Sequence, residues 1–483
     1  MSDICFRFND VSLFPFVTRF SKIHKLMRLM SVIAAVCFIV LSLQAETPGG
    51  EATVAKIDPA NVLVDDFQGW GISLCWWAKV VGGYTNRDEY ADLIFKDLGL
   101  NIVRYNIGGG ENPNGPDTMQ FRAKIPGFEP KRGVWDWNAD PNQRWMLQAA
   151  LKRGVNRVEA FANSPPYWMT VSGSVTGAVG GTNNLKVACE DNFAIYLAEV
   201  VRHLSRMDGV TFSSITPVNE PSSAWWVYGG HQEGCHMDAV QQDRVINLLR
   251  AELDRRGLRL IIDAPEENDE QSGINSLQTY TTNCLEHIGQ ISTHSYGANN
   301  PEVLASLAAS LHKPMRQTEY GDGDEAGLKL ARRIRDDLAQ LRPVSWCYWQ
   351  GADYAGWGLL YNRLAENGRM RYRITEKFCV FEQFTRFLRP GCQIIDCGDT
   401  NSIVGYNPAS KTLAVVTVND GTNDFNETYD LSNFSTAGNQ AQCYRTSDGE
   451  SFQQLQPVSA QNRRFSLVFP AGSVTTCVLQ AVR

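Results

Sequence analysis

Between Gly69 and Gln350 the chain alternates two textures. Short apolar runs that end on Gly, Pro, Asn or an acid are separated by longer stretches with apolar positions at helical spacing. The runs are GWGISLCWW from Gly69, LNIVRYNIGGG from Leu100, RVEAFANSPPYW from Arg157, TFSSITPVNEP from Thr211, LRLIIDAPE from Leu258, QISTHSYG from Gln290, KPMRQTEYG from Lys313 and VSWCYWQ from Val344. Between them NRDEYADLIFKDLG, DNFAIYLAEVVRHLSR and AVQQDRVINLLRAELDRRG carry the helical pattern. Parallel strands are buried on both faces, so they read as continuous apolar runs and not as alternating ones. Eight such strands with helices between them, over roughly 300 residues, predict an α/β fold of the (β/α)8 TIM-barrel type.

After FEQFTRFLRPG the pattern changes to period two. TLAVVTVND, AQCYRTSD, RRFSLVFP and VTTCVLQAV alternate apolar and polar positions between Gly, Asn, Ser and Asp clusters, which predicts an appended antiparallel β-sandwich. EATVAKIDP, ahead of the barrel, is strand-like too and is expected to join that sandwich. The predicted organisation is a leader and signal peptide at 1–45, an N-terminal strand segment at 46–66, the catalytic barrel at 67–388 and the C-terminal sandwich at 389–483. With no internal repeat or low-complexity linker, the two domains are expected to pack closely.

Within the leader, the basic KIHKLMRLM, the apolar SVIAAVCFIVLSL and the small residues of LQA before Glu46 have the order of a secretory signal. The apolar stretch is short for a membrane span, and none of spanning length follows it. The basic region lies unusually deep, which suggests a start at Met27 or Met30, and the expected location is periplasmic, cell-surface or extracellular. Of twelve cysteines, Cys5 and Cys37 leave with the leader. An exported chain permits disulfides. The candidate pairs are Cys189 with Cys235, Cys392 with Cys397 and Cys443 with Cys477, while Cys75 and Cys347 sit in apolar strand-like runs as buried thiols.

A formal net charge of −7 leaves no basic stripe for phosphates, so a nucleic-acid partner is not expected. Twelve tryptophans and sixteen tyrosines fit either an aromatic core or rings that stack on sugar faces. HQEGCH, with His231, Cys235 and His236, lacks a second cluster at zinc-ligand spacing and reads as loop. GGGENPNG lacks the Lys-Ser/Thr of a phosphate loop, and no dinucleotide fingerprint is present. Neither a cofactor nor a metal is implied.

Chemistry in such a barrel sits at the C-terminal ends of the strands. Glu220 ends the fourth run and Glu319 the seventh. An isolated Asn-Glu-Pro would pass for a polar turn. A second strand-terminal glutamate three strands later changes that, because two carboxylates delivered to one rim can flank a glycosidic bond.

TPVNEP, RQTEYG, GWGISLCWW, NSPPYWM, THSYG and FTRFLRPG fall in the order of glycoside hydrolase family 30, which the chain resembles over essentially its whole length after the leader. GWGISLCWWA and VRYNIGGGENP resemble most its endo-β-1,6-galactanase branch. The resemblance implies a retaining double displacement with Glu220 as acid/base and Glu319 as nucleophile. It also implies a substrate-binding set: Asn219 on the hydroxyl beside the anomeric centre, Arg104 keeping the nucleophile ionised, and Trp77, Trp168, His294, Tyr296 and Trp349 around the sugar. Trp76 and Trp77 would narrow the pocket, and Trp225, Trp226 and Tyr228 would face the leaving group. The implied partner is a β-linked polysaccharide or oligosaccharide, plant-type β-1,6-galactan first. Other specificities of the family (β-1,6-glucan, xylan, glucosylceramide, β-fucoside), or an inactive carbohydrate-binding role, stay open at this point.

Overall fold

In the computed structural model the described residues are 53–297, 299–365 and 371–483. The expected leader and both alternative starts lie outside them. The chain enters through two short strands, β1 (Thr53–Lys56) and β2 (Val62–Phe67). Eight strands then follow the predicted runs: β3 (Gly69–Ser73), β4 (Ile102–Asn106), β5 (Arg157–Phe161), β6 (Phe212–Thr216), β7 (Ile261–Glu267), β8 (Ile288–His294), β9 (Met315–Tyr320) and β10 (Ser345–Tyr348). They close in sequence order into one parallel barrel, β10 returning to β3. The predicted long helices form at Glu190–Met207 and Ala239–Arg255, and the first helical stretch is an α-helix at Arg87–Ala91 that runs on as a π-helix through Asp97.

The barrel interior is unusually polar, in two levels. Lower down, Arg316 forms an ion pair with Glu159, donates to the Ser345 hydroxyl at 2.8 Å and lies 3.5 Å from Asp263. Nearer the C-terminal rim, Arg104 on β4 bonds carboxylates from β7 and β9. Buried charges persist only when they are paired and hydrogen-bonded, so each level is a mutually dependent set.

Beyond β10 come β11 (Gln350–Asp353), β12 (Gly358–Tyr361) and β13 (Arg373–Ile374), a small sheet over the barrel mouth. The rest of the chain is sheet: β14 (Cys392–Ile395), β15 (Ser402–Asn407), β16 (Thr412–Asn419), β17 (Phe425–Asp430), β18 (Gln440–Ser447), β19 (Glu450–Gln454), β20 (Val458–Ser459), β21 (Arg464–Phe469) and β22 (Ser473–Leu479). An eight-stranded sheet packs on the three-stranded sheet β1–β17–β21 around Tyr429, Phe465, Val415 and Leu479. The segment before the barrel enters both sheets, β2 pairing antiparallel with β14 and β1 pairing with β17. The β1–β17 pair is parallel, a departure from the all-antiparallel expectation.

Helix Glu376–Thr385, N-capped by the Thr375 hydroxyl, joins sandwich to barrel. Phe381 and Phe384 pack on Trp70 of β3, whose indole N–H donates to the Leu388 carbonyl at 2.6 Å. On the sandwich side, the Gln383 amide donates to Thr446 Oγ1 at 3.0 Å, and Val416, Val418, Val474 and Val478 belong to the same apolar core as the barrel. The ten described cysteines are free thiols, so none of the three candidate pairs is bonded here; Cys443 and Cys477 face each other on paired strands with sulfurs 2.8 Å apart.

Candidate active site

Glu319 lies within β9, and Glu220 stands four residues beyond the end of β6. The turn carrying Glu220 is held from both sides. Asn219 N–H donates to the Ala162 carbonyl beyond β5, and Glu220 N–H donates to the Glu266 carbonyl on β7, both at 2.9 Å. Glu267 accepts from the backbone and hydroxyl of Ser222, at 3.0 and 2.7 Å, which fixes the far side of the Pro221 turn. These ties keep Glu220 at φ +46°, in the left-handed region. That conformation costs a non-glycine residue about 1–3 kcal/mol and survives only where the surroundings impose it.

The two glutamates meet above a fixed floor. Glu319 accepts from Arg104 Nη1 at 2.8 Å on one oxygen and from the Tyr296 hydroxyl at 3.0 Å on the other. Glu220 Oε1 takes Asn268 Nδ2 at 2.7 Å and pairs with His294 Nδ1 at 2.9 Å, which leaves Oε2 without a hydrogen-bond partner among the described residues. One oxygen of each glutamate lies within 4.8 Å of the other and of a His294 nitrogen. Beneath them Glu266, at φ +60°, bonds both Arg104 and His294.

Electrostatics at the floor follow from this pairing. Burial alone would strip the proton from His294, but Glu319, Glu220 and Glu266 around it outweigh that and raise it to about 10, so it is a cation at neutral pH. Burial opposes ionisation of Glu266 as well, and there Arg104 and His294 win, lowering it to about 2. In Glu319 burial prevails and the carboxyl is raised, with the Glu220 charge adding to it while His294 and Arg104 pull it down.

Above the floor opens a cavity of about 420 Å³. Asn163, Asn219, Glu220, Asn268, Tyr296 and Glu319 line its base, and Trp225, Trp226, Trp349 and Trp357 form its walls together with Trp76, Arg122, Gln232 and Asp353. Trp226 N–H donates to the Glu220 carbonyl at 2.8 Å, so the loop after β6 is tied to the turn it follows. The wall beyond β10 is tied down by buried Lys377, whose ammonium donates to Asp322, to the Gly356 carbonyl and to the Tyr348 hydroxyl.

A paired-carboxylate site at the C-terminal mouth of a parallel barrel narrows the chemistry, and comparison with known proteins decides the family. The profile described as O-Glycosyl hydrolase family 30 matches residues 54–313. An endo-beta-1,6-galactanase of Hypocrea rufa is 34% identical over 464 residues, which cover 89% of this chain and 95% of that protein. The chain belongs to glycoside hydrolase family 30. It is therefore a β-glycosidase, an enzyme acting on β-linked glycans. An exo-beta-1,6-galactobiohydrolase of Bifidobacterium longum subsp. longum is 22% identical over 80% of this chain and 35% of that larger protein. Among solved structures, a family 30 subfamily 8 xylanase from Clostridium acetobutylicum shares the fold at TM-score 0.70, with 23% identity across 88% of this chain and 99% of its own. Among the described residues no helix is long and apolar enough to cross a membrane.

Within this family 30 site the expected residues sort into three groups. Glu220, Glu319, Asn219, Tyr296 and Trp349 line the cavity. Arg104 and His294 do not: both are fully buried below it and touch the glutamates instead of open space, Arg104 at the nucleophile it was expected to act on, and His294, expected around the sugar, behind the carboxylates. Trp77 and Trp168 are corrected outright. Trp77 is fully buried, donates to the Ser73 carbonyl at 2.7 Å and backs onto Gly351, where an added Cβ would meet its ring at 2.7 Å. Trp168 packs on the outer core with its N–H on the Glu129 carbonyl. Glu266, Asn163, Asn268, Arg122 and Asp353 were missed. Glu266 had a signal, since it closes the LRLIIDAPE run as Glu220 and Glu319 close theirs. Arg122 and Asp353 sit on rim segments, where no periodicity marks the inward positions.

Proposed function

We propose that this enzyme hydrolyses β-1,6-linked galactan by a retaining double displacement. Glu319 forms a bond to the anomeric carbon as the glycosidic bond breaks, and Glu220 gives its proton to the departing oxygen. Water then attacks the anomeric carbon, returning a proton to Glu220 and freeing Glu319. The approach of the two carboxylates within 4.8 Å carries the mechanism. An oxygen of each this near the other puts both within reach of one glycosidic bond, as a retaining pair with carboxyl groups about 5–5.5 Å apart requires.

Hydrogen bonding supports the roles. Glu319 accepts from Arg104 and Tyr296, one donor on each oxygen, while Glu220 is held through Oε1 alone by Asn268 and His294. Glu220 Oε2, without a hydrogen-bond partner among the described residues, is the oxygen suited to pass a proton to the departing one.

The substrate assignment rests on the 34% identical relative, named for β-1,6-galactan, and on a tryptophan-walled pocket suited to pyranose faces. Purified enzyme assayed on β-1,6-galactan, β-1,6-glucan and xylan is expected to show its highest kcat/KM on the galactan. Equal or faster turnover of the glucan would overturn that assignment. We further propose export, with a mature chain starting near Glu46.

A further inference from the structure

Trp76 lines the cavity and is 7% exposed, yet its indole N–H has no hydrogen-bond partner. A buried donor left unsatisfied is destabilising, and native structures rarely keep one without a reason. Nor can the ring turn away easily. It stands edge-on to Trp349 with centroids 5.1 Å apart, over a dry cluster of Cys75, Ile125 and Phe161.

Beside it sits an ion pair held out of bulk water. The Arg122 guanidinium lies 5.0 Å from the centroids of both Trp76 and Tyr354 and donates to Gln120 at 3.0 Å and to Asp353, whose side chain is 3% exposed. Asp353 also accepts the Tyr354 N–H at 2.7 Å. An ion pair in such a wall presents fixed donors and acceptors to a neutral polyol. A hydroxyl needs just that, since it both gives and takes a hydrogen bond.

Strand order assigns this wall to one side of the scissile bond. Trp76 follows β3, Arg122 lies in the segment after β4, and Trp349 and Asp353 follow β10; β10 and β3 continue the barrel from β9, which carries Glu319. Trp225, Trp226 and Gln232 come from the loop after β6, on the side of Glu220. The wall at the nucleophile therefore borders the sugar that becomes covalently attached, and the wall at the acid borders the leaving group.

We infer that the Trp76 N–H and the Arg122–Asp353 pair form the specificity end of this subsite, reading ring hydroxyls remote from the anomeric carbon. This rests on the two-glutamate reading, with Glu319 as nucleophile. An epimer that turns one of those hydroxyls away leaves a buried donor or acceptor unpaired, and rejection follows from that loss.

Trp76→Phe keeps the ring and removes the N–H, while Asp353→Asn keeps the shape and removes the charge. On the glycan that wild type prefers, each is expected to lower kcat/KM about tenfold. The ratio of kcat/KM between β-1,6-galactan and β-1,6-glucan should narrow by a similar factor, with thermal unfolding showing both variants folded. An unchanged ratio in both variants, or equal loss on both glycans, would overturn the inference. If Trp76→Phe does not fold, Asp353→Asn alone decides it. A wild type that prefers glucan would refute the galactan assignment by itself, and the wall would then still stand or fall on whether the ratio moves.

Discussion

At the scale of single residues, the two glutamates differ in what surrounds them, and that difference separates their expected defects. Glu319 is held by Arg104 and Tyr296, one donor on each oxygen, as suits a carboxylate that attacks and then leaves. Glu220 is held through one oxygen only. Glu319→Ala is expected to abolish turnover of every substrate. Glu220→Ala should lose at least about a hundredfold on galactan, the scale of a missing general acid, yet keep far more of its rate on an activated aryl glycoside whose leaving group needs no proton. Equal loss on both substrate types would contradict the assignment. Strand-end position marked these two glutamates in the sequence, as it marked Glu266 at the end of LRLIIDAPE. It could not distinguish Trp76 from Trp77, because the chain leaves β3 just before them and turns into the helix Trp77–Val81, so strand alternation no longer tells which ring faces the cavity.

At the scale of elements, the eight barrel strands were legible because each is buried on both faces and stops at a polar or glycine-rich end. The rim segments were not, since their geometry depends on contacts between loops far apart in sequence. Glu233 is such a contact: fully buried in the loop after β6, it accepts the Gly109 N–H at 3.0 Å from the segment after β4. Gly234 beside it lies so close to the Trp226 ring that an added Cβ would meet it at 2.0 Å. Burial raises the Glu233 carboxyl to about 8, against hydrogen bonds from Gly109, Asn106 and Gly110 that lower it. Its folded value exceeds its unfolded one, so its contribution to stability is fully present below about pH 4.5 and is lost as pH rises through about 8. Glu233→Gln keeps the acceptor and removes the titration. Between about pH 5 and pH 9 the wild-type Tm should therefore fall by roughly a few degrees relative to that of the variant. Parallel curves would show that the carboxyl does not titrate in this range.

At the scale of the molecule, barrel and sandwich share one apolar core through Trp70, Phe381, Phe384 and the valines of β16 and β22. The change of periodicity near Gly391 reveals two kinds of architecture, but a change of pattern carries no information about the surface between them. That surface is closed by residues from both sides and by β2, which precedes the barrel in sequence and pairs with β14 after it. Calorimetry of the whole chain is expected to show a single cooperative transition. Two separated transitions would mean that barrel and sandwich hold together only weakly.

The central claim, that Glu319 attacks the anomeric carbon, is tested most directly by trapping. A 2-deoxy-2-fluoro-β-galactoside with an activated leaving group forms the covalent intermediate readily and hydrolyses it slowly, so the attached sugar can be located by peptide mass spectrometry. The account predicts one added fluorosugar per chain, on the peptide containing Arg316, Gln317, Thr318 and Glu319, with fragmentation placing it on Glu319. Stable attachment to Glu220 or to any other residue would contradict it.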